Sequence, residues 1–124
     1  MIHVPEAEFD RAVEQALADL PVEFRPYLEN VVIEVRPRPD RALMARYDVP
    51  DDVLGLYAGC PLEEKSLAPA GTSLPDRIFI FRDILCGMCE SRAELVEEIR
   101  ITVLHEIGHH FGMDEDRLEA LGYD

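Results

Sequence analysis

Basic side chains are scarce in this chain: 12 Lys and Arg stand against 26 Asp and Glu in 124 residues, a formal net charge of −14. Without a basic surplus there is nothing to displace counterions from phosphates, which argues against nucleic acid as a partner. The same balance argues against anionic membrane surfaces; the plain consequence of the charge is a well-solvated surface. Cysteine is also sparse. Three residues, an odd number, make a poor disulfide framework. No apolar run approaches a transmembrane length, and Met1 to Glu6 lacks the basic region and apolar core of a signal peptide. The expectation is a cytoplasmic protein. Internal repeats, low-complexity tracts and linkers are missing too, so residues 1–124 are read as a single domain, and a hydrophobic content of 48% excludes disorder.

The pattern of what is present predicts an α+β chain. Phe9, Val13, Ala16, Leu17 and Leu20 form one apolar stripe on a helix from Pro5 to Leu20, stopped by Pro21. A short turn is expected over 21–27. Val31 to Val35 is the most β-branched segment and reads as a strand; 36–40 reads as a loop. A short helix fits Arg41 to Tyr47, and Val53 to Gly59 looks like a strand whose glycines permit a bulge or close approach. Residues 60–75 carry three prolines and one glycine, the signature of a surface loop. Asp76 to Phe81 is a second strand, followed by loop or short helix over 82–90. Ser91-x-x-Glu94 is a capping box opening a helix to Phe111, which Gly112 ends. Asp114 to Leu121 predicts a last short helix.

That long helix is half polar at its start and apolar on nearly all sides from Ile101, so its end is expected to enter the interior. There lies His105-Glu106-Ile107-Gly108-His109. An H-E-x-x-H on a helix places both imidazoles on one side, able to grip one metal ion. Glu106 points roughly a hundred degrees round, suited to act on water beside the metal rather than on the metal. Two neutral nitrogen ligands, a Lewis acid and a carboxylate base are what zinc peptidases use. The bland account is a pair of core histidines hydrogen-bonded to backbone; helical placement, the expectation that the motif sits where the helix is most buried, and the glycine three residues after His109 favour the metal.

The pattern continues as Gly112-x-x-Glu115, resembling the extended metzincin motif, in which a glycine turns the chain and a third ligand follows. Metzincins normally place His or Asp there, whereas this register gives Glu115, flanked by Asp114 and Asp116. A carboxylate is a competent zinc ligand. The competing account is that these acids stabilise the start of the next helix, and Asp114 or Asp116 could take the ligand role instead. No Met-turn follows, and Met113 is better explained as a core residue. Tyr123 could stabilise an oxyanion, although a terminal ring that packs is commoner. His110 lies about a hundred degrees from His109 and reads as a packing or surface residue. Cys86-Gly87-Met88-Cys89 is a C-x-x-C, best read as incidental thiols, with a redox or auxiliary metal pair as the alternative.

Residues 31–123, through Leu54 to Gly59, Pro75 to Ile78, Arg100 to Gly112, Glu115 to Leu118 and Leu121 to Tyr123, resemble the minimal zincin-like family of small bacterial neutral zinc metallopeptidases. The resemblance implies a zincin-type α+β fold, with a small mixed sheet on the active-site helix. It implies His105 and His109 as ligands of one Zn²⁺, Glu106 as catalytic base and Glu115 as third ligand. The expected function is a zinc-dependent metallopeptidase acting on a peptide or protein substrate, aligned by edge pairing on the strand around Ile78 to Phe81. The alternative is a non-catalytic zincin scaffold that binds a partner, its metal absent or structural.

Overall fold

A computed structural model describes residues 1–59, 75–112 and 116. Helix α1 spans Glu6–Ala18, and a 3₁₀ turn at Val22–Phe24 leads into the one-turn helix α2, Arg25–Leu28. Strand β1 covers Val31–Arg36 and helix α3 Arg41–Tyr47; strands β2 and β3 cover Gly55–Ala58 and Asp76–Phe81. Helix α4, Arg82–Met88, follows β3 without a break, and α5 runs from Arg92 to His110.

The three strands are ordered β1-β3-β2, with β1 parallel and β2 antiparallel to β3. This is the small mixed sheet of an α+β fold. Side chains alternate across it with period two. Tyr57, Ile78 and Ile80 join Phe9, Ala12, Val13 and Ala16 of α1 and Leu95, Ile99, Val103 and Leu104 of α5 in the main core. Leu56, Ala58, Phe79 and Phe81 face the other way, under Leu43 and Tyr47 of α3. Both faces of β3 are therefore covered, which is why its sequence reads as continuous apolar residues rather than as an alternation. Each fully buried Ile or Phe contributes about 1.5–3 kcal/mol through its removal from water.

The sequence boundaries held closely where they can be compared. Pro5 is the N-cap of α1 rather than its first helical residue, and its carbonyl accepts the Phe9 N–H at 3.0 Å. Ser91 caps α5 by accepting the Glu94 N–H at 3.1 Å. At the other end Gly112 takes a φ of +69°, a conformation that disfavours side chains with a β-carbon, and its N–H reaches the His109 carbonyl at 3.3 Å. The expected strand over 53–59 is shorter, Gly55–Ala58. Of the loop expected over 60–75 only Pro75 is described, exposed and in no helix or strand; the final helix lies outside the described residues apart from Asp116, which is helical and exposed.

Two expectations are corrected. The strand expected to offer an edge, β3, is the central strand, with both sides already paired. Among the described residues, the free edge beside α5 belongs to β2. In addition, the H-E-x-x-H does not occupy the most buried part of α5: Leu104, Ile107 and Gly108 are buried, but His105 and Glu106 are half-buried and His109 is exposed. The apolar residues around the motif turn to α1 and the sheet, leaving the motif's own face open. Among the described residues no helix is long and apolar enough to cross a membrane.

Candidate active site

Helix α5 presents two adjacent pairs of side chains, each four residues apart. His105 and His109 form one, with ring centroids 4.2 Å apart and planes inclined by 33°. Neighbouring imidazoles at this spacing suit a shared metal ion, and two nitrogen donors beside a carboxylate match the chemistry zinc selects. Glu106 and His110 form the second pair, one step round the helix, and both meet Tyr57. The Tyr57 N–H donates to Glu106 Oε1 at 2.9 Å. The His110 ring stacks on the Tyr57 ring at 3.8 Å between centroids and 12° between planes.

That main-chain contact follows from the sheet register. Phe81 N–H donates to the Leu54 carbonyl, and Leu56 and Tyr57 face Phe79 and Ile78. Backbone groups alternate along an antiparallel strand, so those of Gly55 and Tyr57 point away from β3. The outer edge of β2 thus places its Tyr57 donor against α5, and the Glu106 carboxylate meets it. Burial pushes the Glu106 carboxyl above the ordinary carboxylate range, while the Tyr57 N–H and the two histidines pull it back. The Tyr57 hydroxyl donates to Asp76 Oδ2 at 2.9 Å. Burial first, and then Asp76, raise the phenol far above its usual value, so it stays protonated as a donor.

Beside this constellation lies a cavity of about 310 Å³, lined by Val53, Leu54, Gly55, Ile101, Thr102, His105 and Glu106. Its walls are mostly aliphatic, with His105 and Glu106 of the motif among the lining residues. Gly55 permits its shape: a β-carbon there would lie 2.6 Å from Thr102 Cγ2.

Among the described residues, Asp116 included, no group of three or more His, Cys, Asp and Glu side chains is disposed to hold a metal ion. Glu115 and Asp114 lie outside the described residues, as do Met113 and Tyr123. Sequence reasoning brought together His105, Glu106 and His109, but set His110 aside and gave Tyr57 and Asp76 no role. The spacing of Glu106 and His110 was the available signal for the first. The second needed the sheet register.

The C-x-x-C does not sit at a strand-to-helix junction. Cys86 is in the last turn of α4 and Cys89 is its C-cap residue. Both thiols are free. Burial raises Cys86 and pushes Cys89 up to about 11. A helix C-terminus also disfavours a thiolate, the reverse of the environment a redox-active pair uses. Cys60 lies outside the described residues.

No curated protein matches this sequence. The family model for zincin-like metallopeptidases matches it over residues 28–123, a span that takes in the sheet, α5 and the whole motif. The chain belongs to the zincin-like metallopeptidase family.

Proposed function

We propose that this chain is a zinc-dependent peptidase in which His105, His109 and the Glu115 carboxylate hold one zinc ion and Glu106 is the general base. The observation that carries this reading is a convergence: two neighbouring imidazoles, a carboxylate anchored to a strand edge, and an apolar cavity share one end of α5. A bound zinc ion supplies Lewis acidity, polarising a carbonyl and easing the deprotonation of water. Glu106 takes the proton from the attacking water and returns it to the leaving amine. In the metal-free chain burial raises the Glu106 carboxyl, and a bound zinc ion would act against that shift.

The substrate is a peptide in extended form. It lies along the outer edge of β2, where the backbone groups of Gly55 and the Tyr57 carbonyl are directed outward. An apolar substrate side chain enters the cavity between Leu54 and Ile101.

Metal analysis of protein prepared without chelator, paired with Glu106→Gln, tests the proposal. The expected result is about one zinc per chain in both proteins. Cleavage of an unstructured peptide should fall by roughly 10²–10⁴-fold in the variant. Folded protein that carries no zinc, and stays inert when zinc is added, would overturn it. Stoichiometric zinc with wild-type cleavage in Glu106→Gln would remove Glu106 from its role.

A further inference from the structure

We infer that Tyr57 is a positioning residue that holds the Glu106 carboxylate, and that His110 keeps Tyr57 in place; its catalytic meaning rests on the proposal above. The argument begins with helix geometry. Residues four apart stand on one face of a helix, so α5 carries His105 with His109 on one face and Glu106 with His110 on the next. The first pair suits a metal, and the second closes on a single residue of β2. Glu106 accepts the Tyr57 N–H, and the His110 ring lies flat on the Tyr57 ring.

Tyr57 is fixed at its far end as well. It faces Ile78 across the sheet. Asp76 lies two residues before Ile78 on the same strand face, the diagonal position an aromatic side chain reaches, and it accepts the Tyr57 hydroxyl. Phe111 meets the ring edge-on at 6.1 Å between centroids. The backbone donor therefore belongs to a residue held on three sides. With Oε1 engaged by that donor, proton transfer falls to Oε2. Core packing alone would not need His110, which is exposed. Its ring adds a clamp on the residue that orients the base, without adding to the interior.

Hydrogen exchange of the Tyr57 amide in metal-free, isotope-labelled protein reads this contact without reference to activity. A backbone N–H on an open strand edge exchanges freely unless something accepts it. In the wild type the Tyr57 amide should be protected. Glu106→Ala should abolish the protection. His110→Ala should speed exchange by roughly three- to tenfold, the equivalent of one stacked ring pair, and His110→Phe should restore it. The Phe81 amide, bonded inside the sheet to Leu54, should not change in any of them. Equal acceleration of both amides would reveal general loosening and overturn the inference, as would an unchanged Tyr57 amide in His110→Ala. In zinc-loaded protein, His110→Ala should lower kcat at constant KM, with recovery in His110→Phe; wild-type kcat in His110→Ala would refute the positioning role. Cleavage lacking in every protein, with the exchange pattern as expected, would defeat the peptidase reading and leave the clamp standing.

Discussion

Replacing Gly55 by alanine tests how tightly β2 is seated on α5. A β-carbon at this position would lie 2.6 Å from Thr102 Cγ2 and 2.9 Å from the Phe79 carbonyl oxygen. Neither neighbour can step aside. The Thr102 hydroxyl donates to the Glu98 carbonyl at 2.7 Å, which holds the β-branched side chain in its rotamer. The Phe79 oxygen belongs to the paired backbone of β3. Overpacking of this kind costs about 1–3 kcal/mol. For 124 residues, a cost of ~2 kcal/mol lowers Tm by roughly 8 °C. Thr102→Ser separates the two contacts, since it keeps the hydroxyl and deletes Cγ2. Alone it should cost on the order of 1 kcal/mol for the lost buried methyl. In that background Gly55→Ala meets only the Phe79 oxygen, so its own cost should shrink by about 0.5–1 kcal/mol. Urea titrations of the four proteins measure the cycle directly. A Gly55→Ala protein within ~0.5 kcal/mol of wild type, or two effects that simply add, would refute the close seating of strand on helix.

Two further outcomes follow from the titrating groups. Glu106 has a folded-state pKa above its ordinary 4.5, so its ionisation opposes folding: the cost is missing below that value and grows as pH rises through the folded pKa. Chelator-treated Glu106→Gln, whose amide oxygen can still accept the Tyr57 N–H, should therefore melt above wild type at pH 7. The gap should close toward pH 4 in paired melting curves, and a gap that widened on acidification would contradict the assignment. The Cys86 and Cys89 thiols, raised by burial, should alkylate with iodoacetamide at pH 7.5 more slowly than glutathione does, as followed by mass spectrometry. Rapid modification of Cys86 at that pH would restore the reactive-pair reading.

Much of this fold was legible because its signals are local. The stripe of Phe9, Val13 and Ala16, the cap at Ser91 and the turn at Gly112 each act within a few residues, and the elements they mark are found where they were read. The His105–Glu106–His109 cluster was legible for the same reason, since one helix supplies it. What escaped reading depends on register between distant segments. Nothing in Asp76 to Phe81 by itself tells a central strand from an edge, because a short apolar run of Ile and Phe suits either assignment. The bond from Tyr57 to Glu106 joins residues 49 apart in sequence, and it exists only because the antiparallel register of β2 turns the Tyr57 N–H away from β3. The depth of the motif was misjudged for a related reason. Apolar residues on all sides of a helix end indicate burial of the helix, yet they do not say which face the remaining polar residues keep open.

That open face divides α5 into two functions along its length. Its first half is structural: Ser91 caps it, Arg92 reaches Glu8 of α1 at 2.7 Å, and Leu95 and Ile99 belong to the core it shares with α1. Its second half keeps Leu104 and Ile107 in the same core but turns His105, Glu106, His109 and His110 away from it. The stabilising side chains and the chemical ones thus share one helix, and core and site meet at Tyr57. Substitution of a motif residue removes little buried apolar area, so its expected effect on folding is well below the 2–5 kcal/mol of a core truncation such as Ile99→Ala. Activity lost at Glu106 or His110 can then be read as chemistry or positioning, whereas the same loss at Tyr57, buried in the core, cannot be separated from unfolding. This is why the clamp is tested from the exposed His110 side rather than from the tyrosine it holds.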